Sequence, residues 1–195
     1  MTDPLLEQDD ASTPLTPDER ADLIPSYITL RRELNEAEQI NIFAAEQWAF
    51  LRKRDVLNEA FLLGLHKRMF GQVWKWAGKY RTSERNIGVP SFRIAIDLSQ
   101  LLGDVKYWIE HKTYEPDEIA YRFHHKLVFI HPFPNGNGRH ARMATDLLLK
   151  SLGRERFSWG SRTLIDANIM RAQYVAALRA ADMHEYGLLK EFVRE

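Results

Sequence analysis

The sequence predicts a mainly α-helical fold with one small β element. Apolar residues recur at spacings of three and four in several separate segments, which is typical of helices that bury one face. Residues 79–96 lack such a stripe and contain Gly88, Pro90 and β-branched residues instead. We therefore predict a short β-hairpin or extended flap there. The length of 195 residues suits one domain with a short appendage.

Two helices are predicted in the first part of the chain. Helical spacing begins at about Arg31 and continues to Leu51. Asp55 is the predicted N-cap of the next helix, because its side chain can accept from the free N–H groups of a first turn. Gly71 is the predicted end of that helix. The residues expected to face the core are Leu34, Ala37, Ile40, Ala44 and Trp48 in the first helix and Phe61, Leu65 and Met69 in the second.

The remaining helices are predicted in the second half. One helix runs from about Leu98 to His111, and Pro116 suits the first turn of the next. That helix has the clearest amphipathic pattern, with Ile119, Phe123, Leu127 and Ile130 on one face. The last helices are predicted from near Asn137 to about Leu152, over Ala167–Ala181 and near Tyr186–Val193.

Composition excludes several classes of protein. With no cysteine, the chain has no disulfide scaffold, thiol nucleophile or thiolate metal site. The 27 Lys and Arg residues balance 27 Asp and Glu residues, which argues against a strongly basic nucleic-acid binder. No secretory signal and no membrane span are visible. We therefore expect a cytoplasmic protein without direct nucleic-acid or membrane binding.

The charges are distributed unevenly although they sum to zero. Residues 1–24 carry seven acids against one base, and residues 126–162 carry seven bases against two acids. We expect a flexible acidic N-terminus at residues 1–25, an N-terminal helix within residues 26–50 and a core domain at residues 51–195.

Residues 131–142 combine groups that suit the binding of a polyphosphate beside a general base. Gly136 and Gly138 open a predicted helix, where free N–H groups and the helix dipole favour an anion. Arg139 and Arg142 are three residues apart on one helix face, and their guanidinium groups match phosphate oxygens. His131 can take a proton near neutral pH.

Each of these features also has an ordinary structural interpretation. A glycine-rich loop before a helix is common, two arginines on one face usually belong to a solvated surface, and a lone histidine is more often structural. Their occurrence together within twelve residues favours a site. A zinc site at His124, His125 and His131 is disfavoured because the HEXXH-type spacing is absent.

The stretch HPFPNGNGRHAR resembles the signature of Fic (Fido) proteins, which reads HPF, any residue, Asp or Glu, then GNGRxxR. The motif is long and highly specific, and this sequence departs from it at Asn135. Residues 76–81 (WAGKYR) are similar to the segment that leads into the family's target-docking flap, and residues 174–177 to its following helix. The resemblance covers roughly residues 30–190 and is strongest to a bacterial subgroup called mobile mystery protein B.

The resemblance implies a Fic-type helical bundle with a β-hairpin flap over the active-site loop. It also implies an adenylyltransferase that moves AMP from ATP to a Tyr, Ser or Thr hydroxyl of a target protein. His131 would deprotonate the hydroxyl, and Phe133 would anchor the loop. The nucleotide-binding residues would be Gly136, Asn137 and Gly138 in the anion hole, Asn137 on the α-phosphate, Arg139 on the β- and γ-phosphates, Arg142 on the γ-phosphate, and Tyr174 at the adenine, with core packing an equal alternative for Tyr174.

Asn135 stands where the family has the acid that holds Mg²⁺ (or Mn²⁺). An amide oxygen can ligate a hard cation but brings no charge. Three outcomes are open: weaker metal-dependent AMP transfer, transfer of another phosphate-containing group, or a regulatory module that binds nucleotide without transfer. We favour retained transfer because His131, Asn137, Arg139 and Arg142 are present.

Two regulatory and docking elements are implied by the same resemblance. Thr29 and Glu33 fit the start of the family's inhibitory motif, in which Glu33 would pair with Arg142; an ordinary helix with an exposed Glu33 is the alternative. Asn86, Ile87, Gly88 and Val89 would form the target-docking flap, with a plain surface hairpin as the alternative. The subgroup also implies a helix-turn-helix partner protein.

Overall fold

The structure is a computed structural model that describes residues 17–161 and 166–195. Residues 1–16 of the predicted flexible N-terminus (1–25), and Arg162 of the basic stretch, lie outside the described residues. Residues 17–25 are held by the fold, because the Ile24 N–H donates to the Val73 carbonyl at 2.8 Å and the Lys75 N–H donates to the Asp22 carbonyl at 3.0 Å. The mainly α-helical class is confirmed. In chain order the helices are α1 (Pro17–Ala21), α2 (Arg31–Phe50), α3 (Glu59–Phe70), α4 (Ile94–Glu110), α5 (Pro116–Ile130), α6 (Asn137–Ser151), α7 (Ala167–Asp182) and α8 (Gly187–Arg194), with a 3-10 turn at Ser91–Arg93 before α4.

Helices α5 and α6 pack against each other and carry the motif loop between them. One side of this pair contacts α2, α3 and α4 in a core that includes Phe70 and Phe123. The other side contacts α7 and α8 in a second, more aromatic cluster that includes Tyr174 and Phe192. The site therefore lies where two hydrophobic clusters meet. None of the described helices combines the length and apolar character needed to span a bilayer.

The N-cap of α3 is Asn58, not the predicted Asp55. The Asn58 side chain accepts a hydrogen bond from the Phe61 N–H at 3.0 Å. The helix begins three residues later than the Asp55 prediction required, because Val56 and Leu57 are buried in the core before the first turn. Gly71 ends the helix as predicted, and its N–H bonds to the Lys67 carbonyl at 2.7 Å.

The buried face of α2 is rotated from the predicted stripe. Ile40 was expected to face the core, but it is 71% exposed. The buried residues are Leu34, Glu38, Ala45 and Ala49. The rotation follows from Glu38, an acidic residue that is buried because both of its carboxylate oxygens find donors, on Trp74 and Arg139. An apolar pattern gives no weight to such a residue.

The predicted β-hairpin is not found, since residues 79–90 form an irregular loop without a strand. Backbone groups that a hairpin would pair with each other bond instead to the motif loop. The N–H of Arg81 donates to the Pro132 carbonyl at 2.9 Å, and that of Val89 donates to the Ile130 carbonyl at 3.4 Å. The Arg81 side chain donates hydrogen bonds to the carbonyls of Ser83 and Val89. These contacts hold the segment against the motif loop.

Candidate active site

The motif loop begins and ends in the left-handed region of backbone conformation. His131 ends α5 with φ 54° and ψ 60°, and Gly136 precedes α6 with φ 79°. A Cβ on Gly136 would lie 2.6 Å from the Phe70 ring, so glycine is required both by the backbone and by the space. These two turns place His131 and the N-terminus of α6 at opposite ends of one short loop.

His131 is buried, with 6% of its surface exposed. Burial, followed by the positive charges of Arg81 and Arg85, lowers its pKa to about 4. The Val128 backbone carbonyl near the ring opposes this shift only in part. His131 is therefore neutral at pH 7 and can accept a proton.

Asn137 closes the motif loop on itself. Its amide oxygen accepts from the Phe133 N–H at 2.9 Å, and its amide nitrogen donates to the Phe133 carbonyl at 2.8 Å. The structure thus uses the Asn137 side chain to hold the loop, and the contact with an α-phosphate stays a prediction. Phe133 is 1% exposed, in agreement with its predicted role as the anchor of the loop.

His66 of α3 packs against the same loop. Its ring stacks on Phe133 with centroids 3.6 Å apart. The Gly78 N–H donates to its Nδ1 at 3.0 Å, so the hydrogen is on Nε2, which donates to the Asn135 carbonyl at 3.1 Å. Burial keeps the pKa of His66 well below its ordinary value. A neutral imidazole thus connects the WAGKYR segment to the motif.

Arg81 connects the segment of residues 79–90 to the motif loop. It is 2% exposed, and its Nε donates to the His131 carbonyl at 2.8 Å while Nη2 donates to the Val89 carbonyl. Gly88 crosses so near that a Cβ there would lie 2.6 Å from the His131 Cβ. Gly88 therefore lies next to His131, and the docking role of Asn86–Val89 stays a prediction.

Arg139 and Arg142 have different surroundings on α6. Arg139 Nη1 donates to Glu38 Oε2 at 2.6 Å, which pairs its charge with a carboxylate from α2. The Arg142 guanidinium lies 4.4 Å from the ring centroid of Tyr174 and 5.6 Å from that of Trp159. The two cations of the predicted phosphate site are therefore held by different means, one by a carboxylate and one by aromatic rings.

Tyr174 lies beside the opening turn of α6. A Cβ on Gly138 would be 3.7 Å from its hydroxyl oxygen, and the guanidinium carbon of Arg142 lies 4.4 Å from its ring centroid. The structure thus brings Tyr174 to the side of the site where phosphates are expected. Its predicted contact with an adenine stays a prediction.

Asn135 does not fit a magnesium site held by the protein. Its side-chain oxygen accepts from the Gly136 N–H at 2.6 Å and from Arg139 Nη2 at 3.4 Å. Mg²⁺ in proteins is usually held by one or two carboxylates together with substrate phosphates and water. In residues 17–161 and 166–195 there is no group of three or more His, Asp or Glu side chains that could hold a metal. A neutral amide oxygen already bonded to an N–H and an arginine is a poor ligand.

The predicted Glu33–Arg142 pair is not formed. The Glu33 carboxylate accepts from the backbone N–H groups of Thr29 and Leu30, each at 3.0 Å. These bonds, in that order, lower its pKa. Glu33 therefore caps the start of α2, because a Glu at the third helical position reaches the N–H groups before the helix. The carboxylate that reaches a motif arginine is Glu38.

Three residues of the site could not be singled out from the sequence. Arg81 is part of the WAGKYR segment, but it is 50 residues from His131 in the chain. The sequence gives no sign of the hydrogen bond between them. His66 and Glu38 occupied helix positions that fit a core or a solvated face equally well. The signal that could have identified them is a charged or polar residue in an otherwise apolar helix face. Their partners are known only from the tertiary structure.

The sequence is similar to those of known proteins of one family. The sequence profile of the Fic/DOC family matches residues 56–149. Protein adenylyltransferase fic-1 from Caenorhabditis elegans is 30% identical over 147 residues, covering 73% of this chain and 27% of the relative. Protein adenylyltransferase Fic from Aedes aegypti is 33% identical over 107 residues, covering 53% of this chain and 21% of the relative. The chain thus spans about a quarter or less of the length of these relatives.

Solved structures share the fold. The BepC protein from Bartonella tribocorum, with bound AMPPNP, superposes with a TM-score of 0.71 at 18% identity and covers 92% of this chain and 97% of that one. Fic-1 from C. elegans superposes with a TM-score of 0.64 at 26% identity and covers 90% of this chain and 51% of that one.

Proposed function

This chain belongs to the Fic/DOC family through residues 56–149, and we propose that it transfers AMP from ATP to a Tyr, Ser or Thr hydroxyl of a target protein. The observation that carries the proposal is a neutral, buried His131 at one end of the loop whose other end opens α6, with Arg139 and Arg142 on the first turns of that helix. The relatives named protein adenylyltransferase and the AMPPNP bound to BepC support it.

In the proposed reaction the target hydroxyl attacks the α-phosphorus of ATP. A new P–O bond forms to the target, the bond from the α-phosphorus to the bridging oxygen breaks, and pyrophosphate leaves. His131 takes the proton of the hydroxyl. The backbone N–H groups at Gly136, Asn137 and Gly138 and the dipole of α6 favour the developing negative charge. Arg139 and Arg142 hold the β- and γ-phosphates, as the family resemblance implies.

We further propose that residues Asn86–Val89 present the target. Gly88 packs on His131, and Asn86 and Ile87 are exposed. A target segment lying along this loop would therefore bring a hydroxyl close to the base. The helix-turn-helix partner and the cytoplasmic location stay predictions from the sequence.

We also propose that the enzyme is autoinhibited, by Glu38 in place of Glu33. Glu38 is 5% exposed and accepts from both Arg139 Nη1 at 2.6 Å and Trp74 Nε1 at 2.7 Å. A phosphate that binds Arg139 must compete with this carboxylate and meets its negative charge nearby. Residues 26–50 would then contain the inhibitory element that the sequence predicted, five residues further along α2.

Two radiolabelled nucleotides separate the possible activities. The protein is incubated with a cell lysate and either α-³²P-ATP or γ-³²P-ATP, with Mg²⁺ or Mn²⁺, beside a His131→Ala variant. We expect α-label on protein, reduced at least about 100-fold by His131→Ala because the general base is lost. His111→Ala, which changes an exposed histidine at the end of α4, serves as the control and should label normally.

The other results would favour the alternatives. Label from γ-³²P-ATP would indicate phosphoryl transfer. Tight ATP binding without label, also after replacement of Glu38, would indicate a regulatory nucleotide-binding module. Label that persists in His131→Ala would contradict the assigned role of His131.

A further inference from the structure

Arg142 is held in place without being neutralised. No described carboxylate forms an ion pair with it, whereas its neighbour Arg139 is paired with Glu38. The guanidinium carbon lies over the rings of Tyr174 and Trp159, 4.4 Å and 5.6 Å from their centroids. Aromatic faces attract a guanidinium within about 6 Å and leave its charge uncompensated. An arginine held in this way keeps its full charge for an anion.

Both rings are themselves fixed by buried polar groups. The Tyr174 hydroxyl lies 2.8 Å from Nε2 of His124. Trp159 Nε1 donates to the Asp146 carboxylate, with oxygens at 3.2 and 3.3 Å. The ring centroids of His124 and Trp159 are 4.5 Å apart, so the histidine that supports Tyr174 also packs against the second ring.

The residue behind the tyrosine adds no charge to this arrangement. His124 is fully buried, and burial together with the charge of Arg142 lowers its pKa to about 3. It is therefore neutral at pH 7. The Asp146 carboxylate is directed to Trp159, the Phe157 N–H and Arg156. The surroundings of Arg142 thus restrict its direction while its positive charge remains.

We propose that Tyr174 and Trp159 form an aromatic clamp that positions Arg142 for the terminal phosphate of a nucleoside triphosphate, with His124 and Asp146 fixing the two rings. These four are positioning residues that act through Arg142. The proposal rests on the proposed function in so far as ATP is the ligand. It assigns Tyr174 to the phosphate end of the site, where its hydroxyl lies beside Gly138 and Arg142.

A double-mutant cycle tests the clamp through binding. Affinities for ATP and ADP are measured by calorimetry for Tyr174→Leu, Arg142→Ala and the double variant, all in a Glu38→Gln background that leaves Arg139 unpaired. We expect Tyr174→Leu to weaken ATP binding about tenfold and ADP binding about twofold or less, because ADP lacks the γ-phosphate. In the Arg142→Ala background the same change should have no further effect.

Tyr121→Leu is the matched control. Tyr121 is a buried tyrosine of the same hydrophobic cluster, and its ring contacts Tyr186. It should lower the melting temperature without changing the ratio of ATP to ADP affinity. If Tyr174→Leu does not fold, Tyr174→Phe replaces it in the cycle, with an expected effect of about threefold because the ring face remains.

Equal losses of affinity for ATP and ADP would overturn the clamp and leave Tyr174 a core residue. So would an undiminished effect of Tyr174→Leu in the Arg142→Ala background.

A second readout does not need the nucleotide. It is the Nε–H signal of Arg142 in an NMR spectrum, assigned by its loss in Arg142→Ala. Ring currents should shift this signal, and Tyr174→Leu should return it to the ordinary range; an unshifted signal in the parent protein contradicts the clamp. If ATP does not bind at all while this shift is present, the proposed function fails, and only the contact of the two rings with Arg142 stands.

Discussion

Three of the polar residues that organise this site act through the backbone. Arg81 donates to the His131 carbonyl, His66 donates to the Asn135 carbonyl, and Asn137 bonds to both backbone groups of Phe133. Each is buried, so each bond satisfies a group that water cannot reach. The conformation of the motif loop is therefore fixed by side chains from three different segments of the chain.

Glu38 has a testable effect on nucleotide binding. Glu38→Gln removes the negative charge that is paired with Arg139. It should strengthen ATP binding about fivefold, equivalent to about 1 kcal/mol for a partly exposed ion pair. Labelling from α-³²P-ATP should rise with it. Calorimetry and the labelling assay measure the two effects.

Glu33→Gln is the control for this substitution. It weakens the bonds to Thr29 and Leu30 but leaves Arg139 paired, so it should lower stability slightly and leave labelling unchanged. A rise in labelling with Glu33→Gln and none with Glu38→Gln would contradict the assignment to Glu38 and return the inhibitory role to Glu33.

At the scale of elements, helix positions could be predicted to within a few residues. Periodicity placed α5 and α6 closely, because Pro116 and the glycines of the motif mark their ends. It did not predict which face of α2 is buried, because the polar residue Glu38 lies on that face. It also failed on the flap, where contacts with the motif loop, and not a hairpin ladder, hold the segment.

The N-cap of α3 gives a direct test at this scale. Asn58→Ala removes the acceptor for the Phe61 N–H and should lower the free energy of unfolding by about 1 kcal/mol. The melting temperature should fall by about 2–4 °C, measured by circular dichroism. Asp55→Ala, at the exposed position three residues earlier, should change it by less than about 1 °C; the reverse order would restore Asp55 as the cap.

At the scale of the whole molecule, five buried histidines make the fold sensitive to acid, and burial lowers the pKa of each, His125 included. Burial lowers the pKa of His124 to about 3, those of His131 and His140 to about 4, and that of His66 well below its ordinary value. Below pH 6.5 the unfolded chain binds protons that the folded chain does not. Stability is therefore unaffected by these groups above pH 6.5 and falls as the pH drops towards 4.

The expected loss can be measured as a melting curve at each pH. For a pKa lowered to about 4, the loss at pH 5 is about 2 kcal/mol for each histidine, so the melting temperature should fall by about 10 °C or more between pH 7 and pH 5. His140→Gln can still bond to the Leu62 carbonyl and should make the dependence shallower. An unchanged melting temperature over this range would contradict the neutral, buried state of these groups.

The folded chain pairs some of the unevenly distributed charges with residues far away in the sequence. The described acids of the N-terminal stretch include Glu19, which bonds to Ser83 and Arg85 of the flap. The basic stretch contains Arg139, paired with Glu38, and Arg142, held by two rings. A net charge of zero is thus compatible with one cation that stays uncompensated at the site.

The sequence by itself determined the helical class and the ends of the motif helices, because these depend on local spacing and glycine conformation. From residue type it also predicts the chemistry of residues 131–142. Tertiary structure alone decided which residues support that chemistry. Glu38, His66 and Arg81 meet the motif across separations of 101, 69 and 50 residues. Periodicity records which face of a helix is apolar, whereas the burial of a polar group depends on a partner that only the folded chain brings to it.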